Sequence, residues 1–146
     1  MRVLLVSVNT GGSDMTVLPL GVGMVGAAAQ RAGHDVSLLE TGPGADPLAA
    51  VTRAVREHRP RVIGVSVRNI DDQNMQSPRF LLPAVGTVVY ACRACSPATV
   101  VVGGAGYSIF PDAALARLGA DFGVHGEGEV AFPALLKGLE HGDDPA

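Results

Sequence analysis

The chain has 146 residues, 47% of them hydrophobic, and a formal net charge of −3 from 11 Lys+Arg against 14 Asp+Glu. That length buries enough surface for one core without a metal or cross-link, so a single domain is expected. The acidic balance, with no basic run, argues against a nucleic-acid partner, and two cysteines (Cys92 and Cys95) are too few for a disulfide framework or a four-cysteine zinc site.

The opening residues 1–9 are apolar but too short for a signal-peptide core, and no small-residue cleavage site follows. The uncharged apolar stretch at residues 15–30 is interrupted by Pro19 and glycines and falls short of the ~20 residues a membrane span needs. A soluble, cytoplasmic chain with no membrane partner is expected.

In chain order, residues 2–8 (RVLLVSV) form a continuous apolar run, the mark of a parallel strand buried on both faces. A turn-rich loop, 9–19, precedes a helix that begins near Leu20 and ends at Gly33. A second strand spans 35–40, and Asp46 with Pro47 opens a second helix as N-cap and first helical residue. The third strand spans 61–67 and is followed by a polar loop. A helix is predicted over 79–95, although Pro83 and Gly86 disfavour its first turn. The fourth strand (98–104), a short helix (112–119), a short fifth strand (121–124), a turn (125–129) and a last helix (130–140) complete the chain. Residues 141–146 read as a tail or the start of a linker.

Five alternations of strand and helix imply parallel strands with right-handed crossovers. The expected fold is α/β and flavodoxin-like (Rossmann-like): a five-stranded parallel sheet of order 2-1-3-4-5 with helices on both faces. Ligands of such sheets bind outside the carboxyl ends of the strands, here the loops after Val8, Val67, Gly104 and Val124.

Residues 21–26, GVGMVG, spell the dinucleotide fingerprint, but Gly21 lies far beyond the end of the first strand at Val8. The fingerprint needs its glycines in the strand-to-helix turn. Gly23 and Gly26 instead share a helix face, where small residues allow close approach to the sheet. A receiver-type phosphoacceptor site needs acids after the first strand, an aspartate ending the third and a lysine after the fifth; the strand ends SVNT, SVRN and GVHG supply none. The pair Cys92/Cys95 sits late in a helix, away from the N-terminal position that activates a redox thiol. His34 and His58 fall at helix ends and His141 in the tail, where solvated or capping roles suffice; only His125 lies near the strand edge.

The carboxyl edge itself is distinctive. Gly103 and Gly104 end a buried strand and let a ligand press on the sheet backbone. Gly126 and Gly128 stand after the next strand, and Ser66, Arg68 and Asn69 supply polar groups at the third. Together they describe a glycine-floored groove with few charges, suited to a large, flat, mostly neutral ligand. A nucleotide or flavin, or a non-catalytic regulatory module with no ligand, are the alternatives for this fold.

At these residues the chain resembles the N-terminal cobalamin-binding domain of cobalamin-dependent radical S-adenosylmethionine enzymes, over nearly its whole length. The resemblance runs through Pro19, Leu20, Gly21, Gly33 and His34, then Pro60, Gly64 and Ser66. It continues through Gly103, Gly104, Ser108 and Pro111, and then Asp121, Gly126, Glu127, Gly128, Glu129, Phe132 and Leu135. It implies cobalamin lying across the carboxyl edge, with its nucleotide tail running between sheet and helices. The cofactor-binding residues it implies are Asn9, Thr10, Leu20, Gly21, Ser66, Val67, Arg68, Asn69, Gly103, Gly104, Tyr107, Ser108, Gly126, Glu127, Gly128 and Glu129. Other cobalamin domains carry Asp-x-His-x-x-Gly after the first strand, with the histidine on cobalt. The 9–19 loop holds no histidine, so the cobalt would be held through the corrin alone, without a protein ligand. A base-off cofactor serving methyl transfer is the implied state. The family's iron–sulfur motif, Cys-x-x-x-Cys-x-x-Cys, does not occur here. The resemblance therefore assigns S-adenosylmethionine, the iron–sulfur cluster and the small-molecule or peptide substrate to a radical catalytic domain, in cis or in trans. Residues 1–140 would form the cobalamin domain, not catalytic alone.

Overall fold

The computed structural model describes residues 1–8, 18–42, 44, 46–72 and 74–142. Five parallel strands, β1 (Arg2–Val8), β2 (Asp35–Thr41), β3 (Val62–Ser66), β4 (Thr99–Gly103) and β5 (Phe122–Val124), form one sheet of order β2-β1-β3-β4-β5. The helices are α1 (Leu20–Arg31), α2 (Pro47–His58), α3 (Leu82–Cys95), α4 (Pro111–Leu118) and α5 (Gly128–His141). The flavodoxin-like order expected from the sequence is the order found. Among the described residues no helix is long and apolar enough to cross a membrane.

Strand alternation divides the core in two. Leu4, Val6, Ile63, Val65, Val100 and Val102 point to one face and pack under α2, α3 and α4. Val3, Leu5, Val62, Val101 and Val124 point to the other, under α1 and α5, with Ala29, Phe132 and Leu136. Cys92 belongs to the first core, and burial pushes its thiol up to about 12, a packing residue in chemistry as well as position.

Local chemistry sets the boundaries. Asp46 accepts a hydrogen bond from the Leu48 N–H at 3.0 Å and Pro47 follows it, so α2 starts where expected. α1 closes at Ala32, and Gly33 turns the chain with φ +92°. α3 begins at Leu82, three residues later than predicted, because Phe80 is drawn into an antiparallel bridge with Asp71. Conversely α5 begins two residues early, at Gly128, and ends in His141 rather than before it, with Gly142 at φ +76° closing it. A single 3-10 turn, Tyr107–Ile109, interrupts the loop after β4.

Two polar contacts brace the frame. Asp121 accepts from the Val100 N–H at 2.7 Å with one oxygen and from Arg93 at 2.7 Å with the other, joining β4, α3 and the start of β5. Removing that acceptor costs about 1–2 kcal/mol on general grounds. Asp121→Ala should lower the urea midpoint accordingly, whereas an unchanged midpoint would show the brace to be idle.

His34 is not the solvated or capping residue expected: its side chain is 4% exposed. Its Nδ1 lies 3.3 Å from the Met1 ammonium and 3.7 Å from Glu140. Burial, and then the ammonium, push its pKa below the ordinary 6.5 against a smaller pull from Glu140. The folded state thus prefers neutral His34, and the unfolded chain takes up the extra proton first. Stability is full above the unfolded value of 6.5 and declines as pH falls below it. The denaturation midpoint should drop between about pH 7.5 and about pH 5.5, and His34→Gln should reduce that drop.

Candidate functional site

A groove of about 480 Å³ opens at the carboxyl edge of the sheet and runs down between β1, β3 and β4 on one side and α1 and α5 on the other. It straddles the point between β1 and β3 where the strand order reverses, the usual ligand position of an open α/β sheet.

Register builds its floor. Leu5, Gly64 and Val101 are adjacent across β1, β3 and β4, and all face α1 and α5. One residue pair nearer the edge, Ser7, Ser66 and Gly103 form the next row on that face. The central strand therefore has no side chain at its middle position. A Cβ at Gly64 would lie 2.6 Å from Leu5 Cδ2 and 3.4 Å from the Phe132 ring. The row above it carries only two hydroxymethyl groups and a glycine. Leu5 and Phe132 fill the place a Gly64 side chain would take, and the nearly bare row above them is left to the groove.

Two helices make the walls. α1 presents Val22 and Val25, and α5 comes so near that a Cβ at Gly128 would lie 2.8 Å from Val25 Cγ2. Gly26 sets α1 on the sheet, where a Cβ would meet Leu5, Val36 and Leu38 at 3.4–3.8 Å. A Cβ at Gly23 would meet nothing within 4 Å, so of the two glycines expected to face the sheet only Gly26 does. Neither α1 nor α5 has a side-chain cap, and both helix N-termini border the mouth through Leu20, Gly21, Gly128 and Glu129. Their first-turn N–H groups give the mouth a partial positive character. Arg68 and Glu129 supply the charged side chains among the described lining residues.

The loops at the mouth lock one another. Gly104 has φ +103°, and a Cβ there would sit 2.8 Å from the Val67 carbonyl oxygen. The Val67 N–H donates to the Gly103 carbonyl at 2.7 Å and the Gly106 N–H to the Val67 carbonyl at 2.9 Å. The Ser108 hydroxyl donates to the Gly104 carbonyl at 3.1 Å and accepts from the Gly126 N–H at 3.0 Å.

Of the residues expected to bind a cofactor, Leu20, Gly21, Ser66, Arg68, Gly103, Gly104, Gly126, Gly128 and Glu129 line the groove. Asn69 and Glu127 are exposed beside it without lining it. Ser108 acts behind the lining, as the tie between two loops. Val67 and Tyr107 turn away: their side chains lie in the core under α2, α3 and α4. The Tyr107 hydroxyl fills the place a Cβ at Gly123 would take. Asn9 and Thr10 lie outside the described residues. The sequence reading missed Ser7, Val22, Val25 and Val101 as lining residues, although strand alternation and helical spacing could have found them. Among the described residues, no three His, Cys, Asp or Glu side chains stand together as a metal site.

An apolar groove at the switch point, floored by glycines and open at the carboxyl edge, defines a flavodoxin-like ligand-binding domain. Residues 6–136 match the family model of the B12 binding domain, and the chain belongs to that family. It is 28% identical over 127 residues to the tryptophan 2-C-methyltransferase of Streptomyces laurentii, covering 86% of this chain and 21% of that protein. Its fold superposes with TM-score 0.88 and 26% identity on the radical S-adenosylmethionine methyltransferase TsrM of Kitasatospora setae solved with cobalamin and a 4Fe–4S cluster. A second TsrM structure, with tryptophan and an S-adenosylmethionine analogue, gives 0.91, covering 99% of this chain and 26% of TsrM. The chain thus spans about a quarter or less of the length of these relatives. OxsB, a cobalamin-dependent radical enzyme, shares the fold at TM-score 0.68 and 17% identity, and an archaeal flavodoxin at 0.55 and 12%.

The two close glycines should respond differently to one added methyl. At Gly104 the obstacle is backbone and φ is positive, so Gly104→Ala should cost about 1–3 kcal/mol. At Gly64 the obstacle is the end of the Leu5 side chain, which can swing toward the groove. Gly64→Ala should therefore lower Tm less than Gly104→Ala, and the reverse order would contradict this account of the floor.

Proposed function

We propose that this chain holds cobalamin in base-off form, with the lower nucleotide lodged in the groove and the corrin across the carboxyl edge. In this reading it is the methyl-carrying module of a cobalamin-dependent radical S-adenosylmethionine methyltransferase. The observation that carries the reading is the glycine-containing, largely hydrocarbon groove between the sheet and α1 and α5, which opens at the carboxyl edge beside Ser7, Ser66, Arg68 and Glu129. The volume of about 480 Å³ suits a drug-sized or nucleotide-sized group rather than a whole macrocycle. A cofactor with one narrow arm and one broad ring matches that shape.

The residues divide the work by depth. Leu5, Val101 and Phe132 exclude water around the inserted base. Ser7 and Ser66 offer hydroxyl groups near the ribose, and Gly103 and Gly104 let it approach the strand ends. The uncapped N-termini of α1 and α5 favour the phosphodiester that joins the arm to the ring. Bound cobalamin supplies a cobalt centre able to carry a methyl group. No histidine of the Asp-x-His-x-x-Gly type stands in the 9–19 sequence to ligate that cobalt. Its lower face is assigned to water or to no ligand, near Arg68 or Asn69.

S-adenosylmethionine, the iron–sulfur cluster and the methyl acceptor belong, in this proposal, to a radical catalytic domain joined in cis or bound in trans. The relatives' share of additional chain supports such a partner. The acceptor is a small molecule or peptide.

Mixing the pure protein with hydroxocobalamin, desalting and recording the visible spectrum tests the reading. About one equivalent should be retained with a base-off spectrum. Ser66→Leu, in the half-buried row above the floor, should lose retention while keeping the far-UV circular dichroism of the parent. A colourless parent protein, or a protein-nitrogen-ligated cobalt signal, would overturn the assignment, and a flavin titration would then test the alternative ligand.

A further inference from the structure

We infer that the groove selects the lower base of the cofactor, accepting a benzimidazole and rejecting a purine. This rests on the base-off reading above. The argument is the gradient of polarity along the groove.

Near the mouth stand Ser7, Ser66, Arg68 and Glu129. Inside that rim the walls are Val22 and Val25, and the floor is Leu5, Val101 and Phe132 packed over Gly64, all hydrocarbon. Backbone groups do not relieve this. Leu5, Gly64 and Val101 lie within the continuous parallel pairing of β1, β3 and β4. Val22 and Val25 are on α1, and Phe132 is inside α5. Inside the rim, therefore, a ligand meets the half-buried Val22 and Val25 over a closed hydrocarbon floor, and no donor or acceptor side chain.

Benzimidazoles and purines enter in the same way, because both carry the ribose on the five-membered ring. The six-membered ring leads. In benzimidazole and its dimethyl form that ring presents only carbon and hydrogen. In adenine it presents two ring nitrogens and an exocyclic amine. Those groups would lose water and gain no partner, the kind of mismatch that discriminates far more strongly than a missing methyl group. The five-membered ring's second nitrogen, present in both bases, stays nearer the ribose and the hydroxyls of Ser7 and Ser66.

The experiment measures dissociation constants of the 146-residue chain for four corrinoids by absorbance and ligand retention. They are cobalamin, the cobamide with unsubstituted benzimidazole, the cobamide with adenine, and cobinamide, which lacks the nucleotide. Cobalamin and the benzimidazole cobamide should bind within several-fold of each other. The adenine cobamide should bind roughly 10- to 100-fold more weakly, and cobinamide should also lose affinity. Val25→Thr places a hydroxyl on the hydrocarbon wall from a helix, where it can bond back to its own turn and so spare the fold. It should narrow the gap between adenine and benzimidazole forms. Equal affinity for the adenine form and cobalamin would overturn the selectivity while leaving cobalamin binding intact. Cobinamide binding as tightly as cobalamin would show that no base enters the groove, and failure of all four to bind would remove the base-off reading as well.

Discussion

The register of β3 between β1 and β4 is the constraint from which the site follows. It sets Gly64 beside Leu5 and Val101 on the α1/α5 face, and Ser66 beside Ser7 and Gly103 one row further out. A shift of one residue would put Val65 into the floor and Gly64 under α3, because strand alternation exchanges the faces. The opposite face carries a branched side chain at each of these positions, through Leu4, Val6, Ile63, Val65, Val100 and Val102. One sheet thus does two jobs. Its valine-rich face carries the larger core, and its other face is left incomplete at the carboxyl end.

An incomplete face is tolerable because its costs are limited. The strands that floor the groove are paired on both sides, so no backbone polar group is stranded there. What remains unfavourable is the apolar surface that Leu18, Leu20, Val22 and Val25 leave exposed or half-buried around the groove. A ligand that covers it contributes burial at about 25 cal/mol per Å² and stabilises the fold by mass action. The near contact of Gly128 with Val25 keeps α5 against α1, so the walls do not depend on the ligand to find each other. The mouth is likewise held by protein alone, through Ser108 and the Val67–Gly104 contact.

The order of elements was legible because each central strand is an unbroken apolar run bounded by turn residues. The boundaries were less so. α5 starts at Gly128 without a capping side chain, so the Gly-Glu-Gly sequence looked like turn rather than helix. Phe80 looked like the first residue of a helix face, but a tertiary bridge to Asp71 holds it in the loop. At the site, the glycine pairs and Ser66 were readable from position alone, as strand ends. Val67 and Tyr107 were grouped with them by the same proximity. Alternation places Val67 opposite Ser66, and the 3-10 turn carries the Tyr107 ring into the core. The significance of Gly64 needed the register, because a glycine inside a strand gives no hint of which neighbours flank it. The walls from α1 and α5 needed the helix placement for the same reason.

The GVGMVG segment shows how chain position changes what a glycine can do. In a dinucleotide site the glycines shape the turn between strand and helix, and the backbone N–H groups of that turn meet a pyrophosphate. Here β1 ends at Val8 and the helix begins at Leu20, so the same letters lie within α1. Gly26 brings the helix onto the sheet, and Val22 and Val25 face the groove. The helix therefore meets a ligand mainly through hydrocarbon side chains along its flank, with its N-terminus only at the rim. Charge recognition is confined to the mouth, and the interior reads shape and polarity. A ligand arm with an ionic rim group and an apolar tip is the complement of that arrangement, whereas a nucleotide whose base carries polar edges is not.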